Sequence, residues 1–175
     1  EKVILQQNKH WQNPYPELIG REKLKNLIKK LSLKEVQVLL GIRRSGKSTL
    51  LKLLMNHLMR NHDPFSMLYI NLDDPNFTEI YKDSSRLYQI IDFAEKLSGK
   101  KVEYLFLDEI QHVNLWEKFV KSIYDSEVFK KIFVTGSNSS LLKGEYAQLL
   151  SGRFILDEVF PLSYQEILTD QNSQI

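Results

Sequence analysis

The sequence predicts an α/β domain built on a mostly parallel sheet, and three observations carry that prediction. Short apolar runs of strand character alternate along the chain with segments of helical period. The connections between successive runs are helix-length, which is what parallel crossovers need. The run Tyr104-Leu105-Phe106-Leu107 is apolar throughout, as expected of a strand covered on both faces.

Size and composition agree with one such domain: 175 residues, 42% hydrophobic, with 24 Lys and Arg against 22 Asp and Glu for a net charge of +2. The absence of cysteine excludes disulfides, thiolate zinc sites, iron–sulfur clusters and a thiol nucleophile. Balanced charge argues against a basic coat for nucleic acid. No stretch approaches the ~18 apolar residues of a membrane span, and Glu1-Lys2-Val3-Ile4-Leu5 lacks the apolar core of a signal peptide. A cytoplasmic protein with no membrane partner is therefore expected.

Residues 1–15 read as an irregular arm, 16–168 as the folded core and 169–175 as a tail. In the core, Leu24, Leu27, Ile28 and Leu31 fall at helical spacing and leave Lys23, Lys25, Lys29 and Lys30 for a wet face. Val36 to Leu40, closed by Gly41, is the first strand. Leu51, Leu54, Met55, Leu58 and Met59 then hold helical period until Asn61-His62-Asp63-Pro64 stops it. Met67 to Leu72 is the second strand, with Asp73-Asp74-Pro75 as its turn. A helix capped by Ser84 or Ser85 turns Leu87, Ile90, Ile91 and Ala94 inward and stops at Gly99. Val102 to Leu107 is the third strand. Asn114 and Glu117 are spaced as a capping box for a helix burying Trp116, Phe119, Val120, Ile123 and Tyr124. Ile132 to Val134 is the fourth strand, Ser139 to Leu150 the next helix, and Phe154 to Phe160 the fifth strand.

The strongest chemical signal is Gly41-Ile42-Arg43-Arg44-Ser45-Gly46-Lys47-Ser48. It fits G-x-x-x-x-G-K-[ST] and lies between a strand and a helix, the context that gives this pattern meaning. Gly41 and Gly46 let the backbone turn its N–H groups inward on a phosphate chain at a helix N-terminus. Lys47 reaches the β and γ phosphates, and Ser48 offers a hydroxyl to Mg²⁺. Asp108-Glu109 ends the third strand, at the carboxyl edge of the sheet where the loop also lies. Asp108 is the candidate Mg²⁺ ligand, directly or through water, and Glu109 the candidate base for an attacking water. The alternative is that the pair only leads into the next helix.

Thr135-Gly136-Ser137-Asn138 either orient that water and sense the γ-phosphate or cap a helix. Arg153 is a candidate arginine finger or a surface group. Arg43 and Arg44 lie over the nucleotide, reach a partner or face solvent. A helix and a strand intervene between the loop strand and the acidic strand, and no N-K-x-D motif follows the acidic strand, so adenine is favoured over guanine.

Ile19-Gly20-Arg21-Glu22, the run from Gly41 to Thr49, Tyr69-Ile70-Asn71-Leu72-Asp73-Asp74, Leu107-Asp108-Glu109-Ile110-Gln111, Thr135-Gly136-Ser137-Asn138, Ser151-Gly152-Arg153 and Phe160-Pro161-Leu162-Ser163 occur in the order seen in AAA+ ATPases. Over about residues 17–168 the chain resembles the prokaryotic AAA-type ATPases that carry a separate C-terminal domain of poorly defined function. Arg43-Arg44 and Ser151-Gly152-Arg153 point to that narrower group. The resemblance implies a P-loop NTPase three-layer α/β/α sandwich whose five-stranded sheet is ordered 5-1-4-3-2. It implies ATP or ADP and Mg²⁺ as ligands, with nucleotide contacts from Gly41, Arg44, Ser45, Gly46, Lys47, Ser48 and Thr49 and adenine contacts from the backbone of Ile19 and Gly20. It further implies Asn138 as a sensor and Arg153 acting on a neighbouring subunit's nucleotide in a homo-oligomer. On that resemblance the sequence is expected to stop before the helical lid and C-terminal domain of that family, leaving the second sensor arginine without a counterpart in it.

Two functions are expected from these residues. One is Mg²⁺-dependent ATP hydrolysis coupled to conformational work on an attached domain or partner. The other is a slowly hydrolysing, nucleotide-gated switch read by a protein or DNA partner.

Overall fold

The computed structural model describes residues 1–16, 18–137 and 152–173. Its strands are β1 (Val36–Leu40), β2 (Met67–Asn71), β3 (Tyr104–Asp108), β4 (Lys131–Gly136) and β5 (Phe154–Glu158). The helices among the described residues are α1 (Lys2–Gln7), α2 (Glu22–Lys29), α3 (Lys47–Leu58), α4 (Arg86–Ser98), α5 (Trp116–Asp125) and α6 (Tyr164–Ser173). The strands lie in the order β2-β3-β4-β1-β5 with every pairing parallel, which is the expected order 5-1-4-3-2 seen from the other edge.

Successive side chains on a strand point to opposite faces, and here both faces are covered. Val36, Val38, Leu68, Ile70, Leu105, Leu107, Ile132 and Val134 share one core with Leu87 and Ile91 of α4 and Trp116, Phe119 and Val120 of α5. Leu39, Met67, Tyr69, Tyr104, Phe106 and Phe133 share the other with Leu27 of α2 and Leu50, Leu51, Leu54 and Met55 of α3. Phe106 and Phe133 stack there with ring centroids 4.6 Å apart. Each fully buried Leu, Ile or Phe contributes about 1.5–3 kcal/mol relative to exposure, so the two layers hold the carboxyl ends of the strands at one edge.

Residues 1–15 depart from the irregular arm expected of them. α1 and a 3₁₀ turn at Lys9–Trp11 close the outer edge of β2. The Asn8 side-chain amide donates to the Tyr69 carbonyl (3.0 Å) and accepts from the Tyr69 N–H (2.7 Å). Gln7 does the same at Asn71, at 3.3 and 2.8 Å. Trp11 donates to the Met67 carbonyl at 2.9 Å. Side-chain amides thus take the ladder positions of a further strand, and the edge is satisfied without leaving a template for pairing. Ile4 and Trp11 are the buried apolar side chains of this segment, too few to give it a readable period.

Three local expectations are also corrected. Lys23 and Lys30 do not stand on a wet face, because their ammonium groups lie 2.9 and 2.8 Å from the buried Asp157 carboxylate on β5. The Asn114–Glu117 capping box does not form, since Leu115 adopts a left-handed φ of 57° and the Asn114 N–H donates to the Tyr81 carbonyl at 2.8 Å. At the start of α4 it is the Asp83 carboxylate, not a serine side chain, that accepts from the Ser85 N–H (3.0 Å). The helix expected at Ser139 to Leu150 lies outside the described residues. No helix among the described residues is long and apolar enough to cross a membrane.

Candidate functional site

β1 ends at Leu40, and the next six residues carry the chain into α3, whose first residue is Lys47. Both motif glycines are required by the geometry. Gly46 has φ 94°, and a Cβ on it would run into Arg21 Nη1. A Cβ on Gly41 would run into the Val159 carbonyl oxygen and the Ser45 side chain. Lys47 is buried although it is a cation. Its Nζ donates to the carbonyls of Gly41 (3.1 Å) and Ile42 (3.2 Å) and lies 3.3 Å from Glu109 Oε1. The loop and the acidic pair therefore face each other across one ammonium group.

The alternation of β3 puts Asp108 on the same face as Tyr104 and Phe106, toward α3. Asp108 is buried, and its two oxygens have different partners. Oδ2 accepts from the Tyr69 hydroxyl at 2.6 Å, and Oδ1 accepts from the Thr135 hydroxyl on β4. Ser48, in the first turn of α3, stands beside the same Tyr69 hydroxyl. Burial first, and the Asp108 charge second, push the Tyr69 pKa well above its ordinary value, so the phenol stays a donor. A hydroxyl from α3 and a carboxylate from β3 thus meet at one phenol, and both are the oxygen ligand types that Mg²⁺ takes.

Thr135 links the two acids. Its Oγ1 donates to Asp108 and accepts from the Glu109 N–H at 2.9 Å. Glu109 needs that support, because its φ of 56° is left-handed, which costs a non-glycine residue about 1–2 kcal/mol. Gln111 Nε2 holds the Glu109 carboxylate at 2.6 Å. Strain of this kind persists where neighbouring structure over-determines it.

A cavity of about 300 Å³ opens beside the loop, lined by Leu18, Ile19, Arg21, Arg44, Ser45, Gly46, Thr49 and Leu162. Of the residues expected to contact nucleotide, Ile19, Arg44, Ser45, Gly46 and Thr49 are on its wall, and Gly20, Gly41, Lys47 and Ser48 are not. Arg44 has φ 66° and an exposed side chain.

Arg153 is not at this site. It precedes β5, its carbonyl accepts from the Val36 N–H at 2.7 Å, and it therefore stands at the amino edge of the sheet, a strand length of roughly 16 Å from Gly41. Its guanidinium pairs with Asp125 at 3.1 Å. Asn138 lies outside the described residues. Tyr69, Gln111 and Arg21 were not among the expected site residues. Strand alternation carried the signal for Tyr69, which shares a face with Asp108, whereas the roles of Gln111 and Arg21 depend on loop conformation.

A family model described as an AAA domain matches residues 33–168. An uncharacterized protein of Haemophilus influenzae is 36% identical over 157 residues, which is 89% of this chain and 38% of that protein. An uncharacterized protein of Methanocaldococcus jannaschii is 37% identical over 146 residues, 83% of this chain and 31% of that protein. The chain thus spans roughly a third of the length of these relatives. Among solved structures, AMPPCP-bound DnaA from Aquifex aeolicus has a similar fold, with a TM-score of 0.57 and 16% identity over 94% of this chain and 57% of that one. PCH-2 of C. elegans is similar at a TM-score of 0.55 and 20% identity, covering 89% of this chain and 46% of that one.

Proposed function

The chain belongs to the AAA domain family, and from that premise we propose that it binds ATP with Mg²⁺ at the loop from Gly41 to Thr49 and hydrolyses it. The released free energy serves conformational work on an attached domain or partner. The observation that carries this reading is the 3.3 Å approach of Lys47 Nζ to Glu109, with both groups at the carboxyl edge of the sheet.

Lys47 spends its donors on two loop carbonyls and one carboxylate. Phosphate oxygens entering the loop take those donors, and Glu109 is then released from the ammonium to accept a proton from water, a general-base role worth about 10² to 10⁴ in rate. Thr135 keeps the Glu109 backbone in place during that exchange. Ser48 and Asp108 would hold Mg²⁺, which when bound neutralises charge on the β and γ phosphates. Tyr69 fixes the Asp108 carboxylate between them. Ile19 and Leu162 give the neighbouring cavity an apolar wall suited to adenine. Arg153, at the far edge of the sheet, acts on the nucleotide of a second copy in a homo-oligomer, and Asn138 senses the γ-phosphate.

Titration with ATP and GTP in the presence of Mg²⁺, followed by phosphate release, tests this reading. The expected result is a preference for ATP and a specific rate that rises with chain concentration. Tightly held ADP without turnover in a monomer favours the nucleotide-gated switch instead, and failure to bind ATP contradicts both.

A further inference from the structure

Arg21 is a buried cation outside the motif loop, and each nitrogen of its guanidinium has a partner. Nη1 donates to the Ser45 carbonyl at 3.1 Å, Nη2 to the Phe160 carbonyl at 2.7 Å, and Nε to Glu166 Oε1 at 3.1 Å. Glu166, in the first turn of α6, is itself fixed from two sides. Its Oε1 also accepts from the Glu22 N–H (3.1 Å) and its Oε2 from the Ser163 N–H (2.9 Å). The guanidinium lies over Gly46 where a Cβ on that residue would run into it.

The consequence follows from the planarity of the peptide bond. In a trans peptide the carbonyl of one residue and the N–H of the next point in opposite directions. Holding the Ser45 carbonyl toward Arg21 therefore turns the Gly46 N–H away from Arg21. In a loop of this kind, N–H groups converging on one side make the anion nest.

Building on the nucleotide reading of the loop, we propose that Arg21 is a positioning residue for the phosphate nest, aiming the Gly46 N–H at the phosphate chain, and that Glu166 sets the orientation of Arg21. A carboxylate 119 positions from the motif lysine then belongs to the phosphate-binding apparatus without touching phosphate. Arginine suits the task because its planar fork meets three acceptors at once, whereas a lysine in the same place is a single point charge.

The test compares Glu166→Gln, Arg21→Gln and Arg21→Lys with the wild-type chain. ATP and adenosine affinities are measured by calorimetry, and hydrogen exchange of the peptide spanning 41–48 is followed without nucleotide. Glu166→Gln is expected to weaken ATP about 3- to 10-fold and Arg21→Gln at least about 10-fold, the scale of one charge-assisted hydrogen bond, with adenosine affinity falling less than ATP affinity in both variants. Exchange in the loop peptide should accelerate while the β3 peptide stays protected, and Arg21→Lys should recover only part of the ATP affinity. A folded Glu166→Gln variant with wild-type ATP affinity and wild-type loop exchange overturns the inference. So does an equal loss for ATP and adenosine, which marks a purely structural role. A wild-type chain that binds no ATP overturns the nucleotide reading, and this inference with it.

Discussion

The Tyr69 hydroxyl donates to Asp108 Oδ2 at 2.6 Å, so the buried acid of β3 is held by a phenol from the neighbouring strand. The registers Tyr69↔Phe106 and Asn71↔Asp108 make the two residues diagonal neighbours on the face covered by α3. Tyr69→Phe keeps the ring volume and removes that donor. A stability loss of about 1–2 kcal/mol is expected in urea denaturation, because a charged acceptor loses one of its two partners. The Mg²⁺ concentration for half-maximal hydrolysis should rise several-fold while Mg²⁺-free nucleotide affinity stays the same. An unchanged Mg²⁺ requirement would limit Tyr69 to packing.

Thr135 has a larger effect because one hydroxyl serves both acids. Thr135→Val removes the donor to Asp108 and the acceptor for the Glu109 N–H, leaving a left-handed residue without its anchor. The expected result is about 1–3 kcal/mol of lost stability and a hydrolysis rate lower by about 10- to 100-fold, with ATP affinity nearly constant. Single-turnover kinetics at saturating ATP separate the rate from binding.

Arg153 should behave in the opposite manner. Among the described residues its ion-pair partner is Asp125, in a partly exposed pair, and such pairs are worth about 0–1 kcal/mol. Arg153→Ala should leave stability and the ATP affinity of the dilute chain almost untouched. If Arg153 acts on a second copy, the substitution removes the increase in specific rate with concentration. A rate loss that is the same at every concentration would place its action elsewhere.

Acid should loosen the amino-terminal arm. His10 is buried with Nε2 3.1 Å from the Met67 carbonyl, and burial lowers its pKa from 6.5 to about 4. The unfolded chain therefore binds more protons between those values, so stability is complete above pH 6.5 and falls as the pH drops toward 4. The loss from this group is about 2 kcal/mol by pH 5. His10→Gln keeps a side-chain donor near Met67 and does not titrate, so its stability should lack that part of the pH dependence in denaturant melts.

Much of the fold was legible because the α/β pattern is local. β1, α3 and β3 follow from apolar period, and the strand order follows the resemblance carried by the motifs. That the loop from Gly41 to Ser48 meets Asp108-Glu109 at one edge of the sheet was legible for a related reason: a continuous motif and a strand end are fixed by the chain itself. What the pattern left out is polar and non-local. The arm before Gln12 pairs an edge strand through Gln7 and Asn8, and amide side chains leave no hydrophobic period. Lys23 and Lys30 face a buried Asp157 that is distant in sequence, so their spacing alone resembles a solvent face. Leu115 breaks a capping box by adopting a left-handed backbone that nothing in its side chain announces.

The central claim is that Lys47 and Glu109 flank one triphosphate site. It is tested most directly by measuring ATP affinity and turnover side by side in Lys47→Ala and Glu109→Gln. The expected result is that Lys47→Ala loses ATP binding by more than about 100-fold, while Glu109→Gln retains ATP and loses turnover. Equal ATP affinity in the wild type and Lys47→Ala, or undiminished turnover in Glu109→Gln, would contradict it.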